Sequence, residues 1–483
     1  MAVVAVLVAG LLWWCPWCTV RVTDGSDLLD DELELVESLI RKENDRVTNS
    51  GQEWVSVAVM LPIHPEAEPT APVRIIHQLQ GSYLGQYWFN HPSGDDSQFG
   101  SDRPLIRLLI ADTGYRGEDW PDTVAQLVDM ARPGSDARLV AVTGLDQSTT
   151  ATQAAVNELA RHQIPMIGSL ITATDLAAEG LFRVTPTNSD EALAMIRYLQ
   201  QRDDWKLASA AQPYTAYRIQ DRARADTYAQ DLGKKYNEAF PRDQAHILSP
   251  IPGEFDSRKP AAGNALRSEV SVICADHPTV VFFAGRSGDL RTFLRHLSGR
   301  SQPCADTPIT VVTGDAASDL SAQRNNPQKN LPLWGDGANV TVYYTTLASP
   351  LAWKDEYSEY ISSEVVTRFV EGNRSYQALF PNDPLEDGQA IMSHDAVITA
   401  ATAAGNAISQ QDQRPVPEAL SNGLFQIKGN GKVSGASGFI DFQNDEDLPD
   451  GVPYNKTIPI MRLLPDGTTT LVGLSSRLGT PPR

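Results

Sequence analysis

Short apolar runs alternate with stretches of helical periodicity through most of the chain. Runs at 55–61, 106–111, 138–142, 166–169 and 182–185 read as buried strands, and a second series follows at 206–210, 246–249, 279–284, 309–313 and 340–345. Between them lie amphipathic stretches such as "SGDLRTFLRHL", where Leu290, Phe293, Leu294 and Leu297 recur along one face of a helix. Strand–helix alternation at this rhythm predicts parallel sheets covered on both faces.

So many strands exceed one open sheet of ordinary size. The series divides near 186, where "RVTPTNSDEALAMIRYL" passes from an extended piece into a helix with Asn188 at the N-cap position and Glu191 three residues on. Further breaks fall near "VTVYYTTLASP" and in the glycine-rich "GLFQIKGNGKVSGASGFIDF", whose alternation predicts hairpins. The expected architecture is α/β: two doubly wound parallel-sheet lobes joined by a three-segment hinge. Residues 51–185 with 347–440 would form the first lobe, and 186–346 with 441–475 the second, ahead of a tail at 476–483. A segment at 24–45, with Leu28, Leu29, Val36, Leu39 and Ile40 amid acids, predicts a linker helix within 19–50.

The chain opens with an apolar run from Ala2 to Trp14, shorter than the ~20 residues a spanning helix needs. Residues 1–18 therefore read as an export or membrane-anchoring segment, without the flanking basic residues and cleavage site of a complete signal peptide. Four cysteines remain. Cys15 and Cys18 have the C-x-x-C spacing of thiol redox sites, but an apolar membrane-type run precedes them, not a thioredoxin-like strand. Cys274 and Cys304 each lie ahead of a predicted strand. Neighbouring strand starts would bring them together as a disulfide in an oxidising compartment, and the alternative is two buried thiols. The net charge of -20 argues against nucleic acid or an anionic membrane surface as a partner. At 483 residues with 41% apolar content, the chain can bury full-sized cores.

Chemistry concentrates in two turns. After the strand ending near Val142 come Ser148, Thr149 and Thr150 at the start of a helix; after the next strand come Ser169, Thr172 and Thr174. Ligands of open parallel sheets bind beyond the carboxyl ends of strands. A helix N-terminus presents free N–H groups, so hydroxyls on the same turn suit it to an anion such as a carboxylate, or simply to capping.

Together the stretches "TGLDQSTTATQAAV", "IPMIGSLITATDL" and "LFRVTPTNSDEA" resemble the type I periplasmic binding proteins of the leucine/isoleucine/valine-binding group. The order of elements is similar over roughly 52 to 475. The resemblance implies an amino-acid ligand whose α-carboxylate is held at Thr149 and Thr150, with Leu170 and Thr172 holding carboxylate and ammonium. From the facing lobe it implies an aromatic at Tyr228 and an ammonium partner at Asp315. Two positions depart from the pattern. Arg286 in "FFAGRSGDL" replaces an aromatic and favours a ligand with an additional acid, unless it pairs with Asp289; Leu170 replaces a small residue.

The sequence carries no nucleophile elbow, H-E-x-x-H, P-loop or dinucleotide fingerprint, and no metal-ligand spacing or cofactor motif. The expectation is a non-enzymatic, exported solute-binding protein at the outer face of the cytoplasmic membrane, partnered by an ABC permease. The alternative is a membrane-tethered receptor domain signalling through a separate partner, and a thiol-redox enzyme acting through Cys15 and Cys18 stands behind both. The sequons at Asn339, Asn373 and Asn455 leave an extracellular eukaryotic origin open.

Overall fold

The computed structural model describes residues 21–63, 71–92, 103–322, 332–335, 338–411, 416–446 and 448–482. The apolar run, Cys15 and Cys18 lie outside the described residues. Among those described, no helix is long and apolar enough to cross a membrane.

Two sheets organise the chain. The first is six-stranded, ordered Val22–Thr23, Leu105–Asp112, Trp54–Leu61, Leu139–Gly144, Met166–Gly168, Leu181–Arg183. All pairings are parallel except that of the first strand. Its central strands are buried along almost their whole length, which is why they read as continuous apolar runs and not as alternation. The second, eight-stranded sheet has a parallel centre of Tyr214–Asp221, Val280–Ala284, Ile309–Thr313 and Val340–Thr345. The antiparallel pair Ile458–Leu463 and Thr469–Ser475 completes one side.

The chain passes between lobes three times. After Arg183 the helix Asn188–Leu199 packs its Ala192, Met195, Ile196 and Leu199 into the second core. After Thr345 it returns, and Leu347, Val365 and Phe369 join the first core. Phe442 still belongs to that core, while Ile458 belongs to the second. The last crossing therefore lies between them, later than the division expected at 440. The glycine-rich stretch forms the expected hairpin, Val433–Gly435 with Gly438–Ile440.

Three local expectations change. The segment expected as a linker at 19–50 is built into the first lobe. Val22 and Thr23 pair with Ala111 and Ile110, and the helix Glu34–Thr48 buries Val36, Ile40 and Val47. Asn44 on this helix acts as a substitute strand, donating to Leu108 O at 2.8 Å and accepting from Leu108 N at 3.0 Å. The run at 206–210 is not a strand; the strand is Tyr214–Asp221, whose part-exposed Arg218 and Gln220 disguised it as a polar loop. Finally, the cap of the helix Asn188–Leu199 is Thr187, not Asn188, with Asp190 completing a reciprocal capping box.

The long helices Ala71–Asn90 and Gln389–Gln411 cross in direct backbone contact, since a Cβ on Gly81 would stand 2.0 Å from Ala390 O. Cys274, near the end of helix Ala262–Asp276, and Cys304 form a disulfide with Cα atoms 5.3 Å apart. Replacing both with serine opens a loop of 30 residues. A loss of about 3–4 kcal/mol is expected from denaturant unfolding of oxidised parent and variant.

Candidate functional site

The carboxyl ends of both sheets face one cleft, and the first-lobe turn Leu145–Thr149 meets the second lobe across it. Leu145 and Asp146 lie in the left-handed region, with φ of 67° and 43°. Such a backbone persists only where its surroundings over-determine it. Here the Asp146 carboxylate accepts from Arg74 at 2.9 and 3.1 Å and from Gln78 at 2.9 Å.

The turn delivers Ser148 to the centre. Its hydroxyl accepts from the amides of Thr172 and Ala173, both at 3.1 Å, tying the two first-lobe turns together. Its carbonyl accepts from Tyr228 N and Arg286 Nη2 of the second lobe, both at 3.3 Å. Ser148 is thus the point where both turns meet both lobes. Ser148→Ala would leave two buried amides without an acceptor, and a loss of about 1–3 kcal/mol in equilibrium unfolding is expected.

Around this hub the structure gathers Thr172, Tyr228, Arg286 and Asp315. Tyr228 is buried, and its hydroxyl accepts from Ala316 N at 3.2 Å. A Cβ on Gly314 would stand 2.6 Å from that hydroxyl, so this turn needs glycine for close approach. Arg286 lies 4.3 Å above the Tyr228 ring and grips Asp226 through two bonds of 2.8 and 2.9 Å. Its guanidinium is therefore engaged by Asp226, sixty residues away in sequence, while the residue also lines the cavity at the cleft. Burial pushes the Asp315 carboxyl up to about 6, against the opposing pull of Arg286.

Other expected residues sit apart from this centre. Thr149 caps the helix Thr150–Arg161, accepting from Thr152 N at 3.1 Å. Thr150 is exposed, and its amide donates across the cleft to Ala225 O at 3.1 Å. Both line a cavity of about 810 Å³ at the cleft, with Arg286, Tyr115 and Trp120. Leu170 packs into the first-lobe core. In this arrangement the Thr149 hydroxyl serves as a helix cap and the Thr150 amide as a contact between lobes.

Glu191 escaped the sequence reading, which assigned it to a cap. With the cap at Thr187 and Asp190, Glu191 is turned roughly 100° further round the helix and reaches the Asp315 turn. Its Oε2 accepts from Asp315 N at 3.1 Å and from the Thr345 hydroxyl. Burial, then the Asp315 charge, holds its carboxyl well above the usual carboxylate range. Among the described residues, Thr172 Oγ1, Glu191 Oε1 and Asp315 Oδ1 are buried without a hydrogen-bond partner. Buried polar atoms are ordinarily satisfied, so these three leave hydrogen-bonding capacity open on both lobes.

Two α/β lobes, three crossings and a cleft at the strand ends define the type I periplasmic binding protein fold. Solved structures with this fold cover nearly the whole body of the chain. The leucine-binding protein LivK of Thermotoga maritima superposes with a TM-score of 0.60 at 14% identity, over 87% of this chain and 98% of its own. The branched-chain amino acid transporter substrate-binding protein LivJ of Streptococcus pneumoniae, in complex with isoleucine, gives 0.59 at 16% identity, over 88% and 99%. A solute-binding protein of an ABC transporter from Rhodopseudomonas palustris, in complex with 3,4-dihydroxybenzoic acid, gives 0.55 at 13% identity, over 89% and 98%. No family model and no curated protein matches the sequence.

Proposed function

We propose that the protein is an extracytoplasmic solute-binding protein. It captures a small amino-acid-like ligand between its lobes and delivers it to an ABC-type permease. The observation that carries this reading is the chain of contacts from Thr172 through Ser148 and Tyr228 to the Asp315 turn, flanked by orphaned polar atoms of both lobes. Solutes named for proteins of the same fold, leucine, isoleucine and 3,4-dihydroxybenzoic acid, all carry a carboxylate. The Cys274–Cys304 disulfide fits an oxidising compartment outside the cytoplasm. Such a protein catalyses nothing; closure on the ligand is its output.

Mechanistically, a solute held first by the first-lobe turns shifts the lobes toward closure only through contacts that the closed state adds. Asp315, on the second lobe, supplies such a contact. A thermal-shift panel of amino acids, amines and aromatic acids on the full chain tests the reading. A saturable rise in Tm with one class is expected, since a ligand at 100 times its Kd adds about 2.7 kcal/mol. Chemical turnover of a panel compound, or a flat response to every compound, would contradict it.

A further inference from the structure

Two carboxylates, not one, stand at the second-lobe side of the cleft. Glu191 comes from the helix that follows the first crossing, and Asp315 from the turn after strand Ile309–Thr313. The Asp315 amide and the Thr345 hydroxyl both donate to Glu191 Oε2, which fixes the two acids against each other. Each keeps one buried oxygen without a partner among the described residues, Glu191 Oε1 and Asp315 Oδ1.

The titratable and charged groups that act on this pair are Tyr228 and Tyr236 from the helix Thr227–Ala239, Asp190 from the helix of Glu191, and Arg286. The tyrosines are neutral, Asp190 has the same sign as the pair, and Arg286 is gripped by Asp226. Glu191 is buried and Asp315 part-buried, bonded through the Asp315 amide, and Arg286 only partly offsets their mutual repulsion, so the two acids share a proton.

We propose that Glu191 and Asp315 together receive one primary ammonium group of the ligand, whose arrival expels the proton the two acids share. The amine enters as R–NH₃⁺, the pair passes from singly protonated to fully ionised, and H⁺ leaves to solvent; no covalent bond to carbon changes. This rests on the solute-binding reading and narrows it. The ligand must offer N–H donors to two oxygens, which excludes quaternary ammonium compounds and acids without an amine. Glu191 is then a specificity residue beside Asp315.

Isothermal titration of the full chain with L-leucine, L-lysine and putrescine tests this, with glycine betaine and benzoate as controls. Each titration is run near pH 6.5 in two buffers of different ionisation enthalpy. An amine is expected to bind with a buffer-dependent heat that reports proton release, and to bind more tightly as pH rises from 5 to 7. Glu191→Gln keeps the shape but removes the shared proton; its binding should weaken about tenfold and lose the buffer dependence. The parent comparison needs no variant, so a misfolded variant leaves the test intact. Amine binding with equal heats in both buffers overturns the inference, as does undiminished proton release in Glu191→Gln. Binding of benzoate or betaine without any amine overturns it while the solute-binding reading stands; a folded parent that binds nothing overturns both.

Discussion

Asp395→Ala is expected to destabilise the protein by about 3–5 kcal/mol, the range for breaking a buried ion pair by removing one partner. The Asp395 carboxylate is fully buried on the helix Gln389–Gln411 and accepts from Ala436 N at 3.0 Å, Ser437 N at 2.9 Å and the Ser437 hydroxyl. It also bonds to His394 Nδ1 at 2.9 Å. Burial alone would raise its pKa, yet the His394 bond, the His394 and Lys456 charges and the Ser437 bond hold it below the usual range. The buried Lys456 ammonium donates to the Ser437 hydroxyl at 2.9 Å and to Gly438 O at 3.0 Å. Burial pushes its pKa down to about 8, with Asp395 opposing the fall.

Without the carboxylate, a buried cation and two buried amides lose their counterpart together. Lys456 stands two residues before the strand Ile458–Leu463, so this cluster pins the third crossing to the first-lobe hairpin. Denaturant titrations will measure the loss. In a double-mutant cycle, Lys456→Met in the Asp395→Ala background should restore part of it, because the cation left behind is then gone.

Asp315→Ala should reduce ligand affinity by about a hundredfold or more, the scale of truncating one partner of a buried charge pair at an interface. The same change should leave the fold intact. Asp315 is part-buried on a turn, and its Oδ1 serves no intramolecular bond among the described residues. Removing an acid that burial has pushed up to about 6 also relieves like-charge crowding on Glu191. Because both folded-state values lie above the ordinary carboxylate range, the sign of the linkage is fixed. The pair's contribution to ligand-free stability is complete in acid and is lost as pH rises through about 6 and beyond. The variant should therefore lose less stability than the parent between pH 5 and 7, while binding worse throughout. Calorimetric titration and pH-dependent melting separate the two effects.

The fold was legible where burial is two-sided. Trp54–Leu61 and Leu139–Gly144 are buried along nearly every residue, so their apolar runs had one reading. Tyr214–Asp221 was hidden because it alternates buried and part-exposed residues and carries Arg218 and Gln220. The helix Glu34–Thr48 looked like a linker because acids are scattered along it, although two of them, Glu37 and Glu43, are buried with Val36, Ile40 and Val47. Its decisive residue, Asn44, binds strand backbone through a polar side chain that periodicity counts as surface.

Thr172, Tyr228, Arg286 and Asp315 were expected from a family pattern, and the structure brings them to one place around Ser148. Glu191 was missed because a one-residue error in the cap assigned its carboxylate to the helix end. The Arg286–Asp226 pair was not legible because the two residues lie sixty apart and no local pattern links them.

The central claim is that a small solute is gripped between the first-lobe turns and the Glu191–Asp315 acids. A crystal structure of the full chain with the best solute from the thermal-shift panel tests it most directly. The account predicts ligand density in contact with both lobes, within hydrogen-bond distance of Asp315 Oδ1. Solute found instead in the separate cavity beside Gln153, Arg218 and Lys234, or outside the cleft, would contradict it.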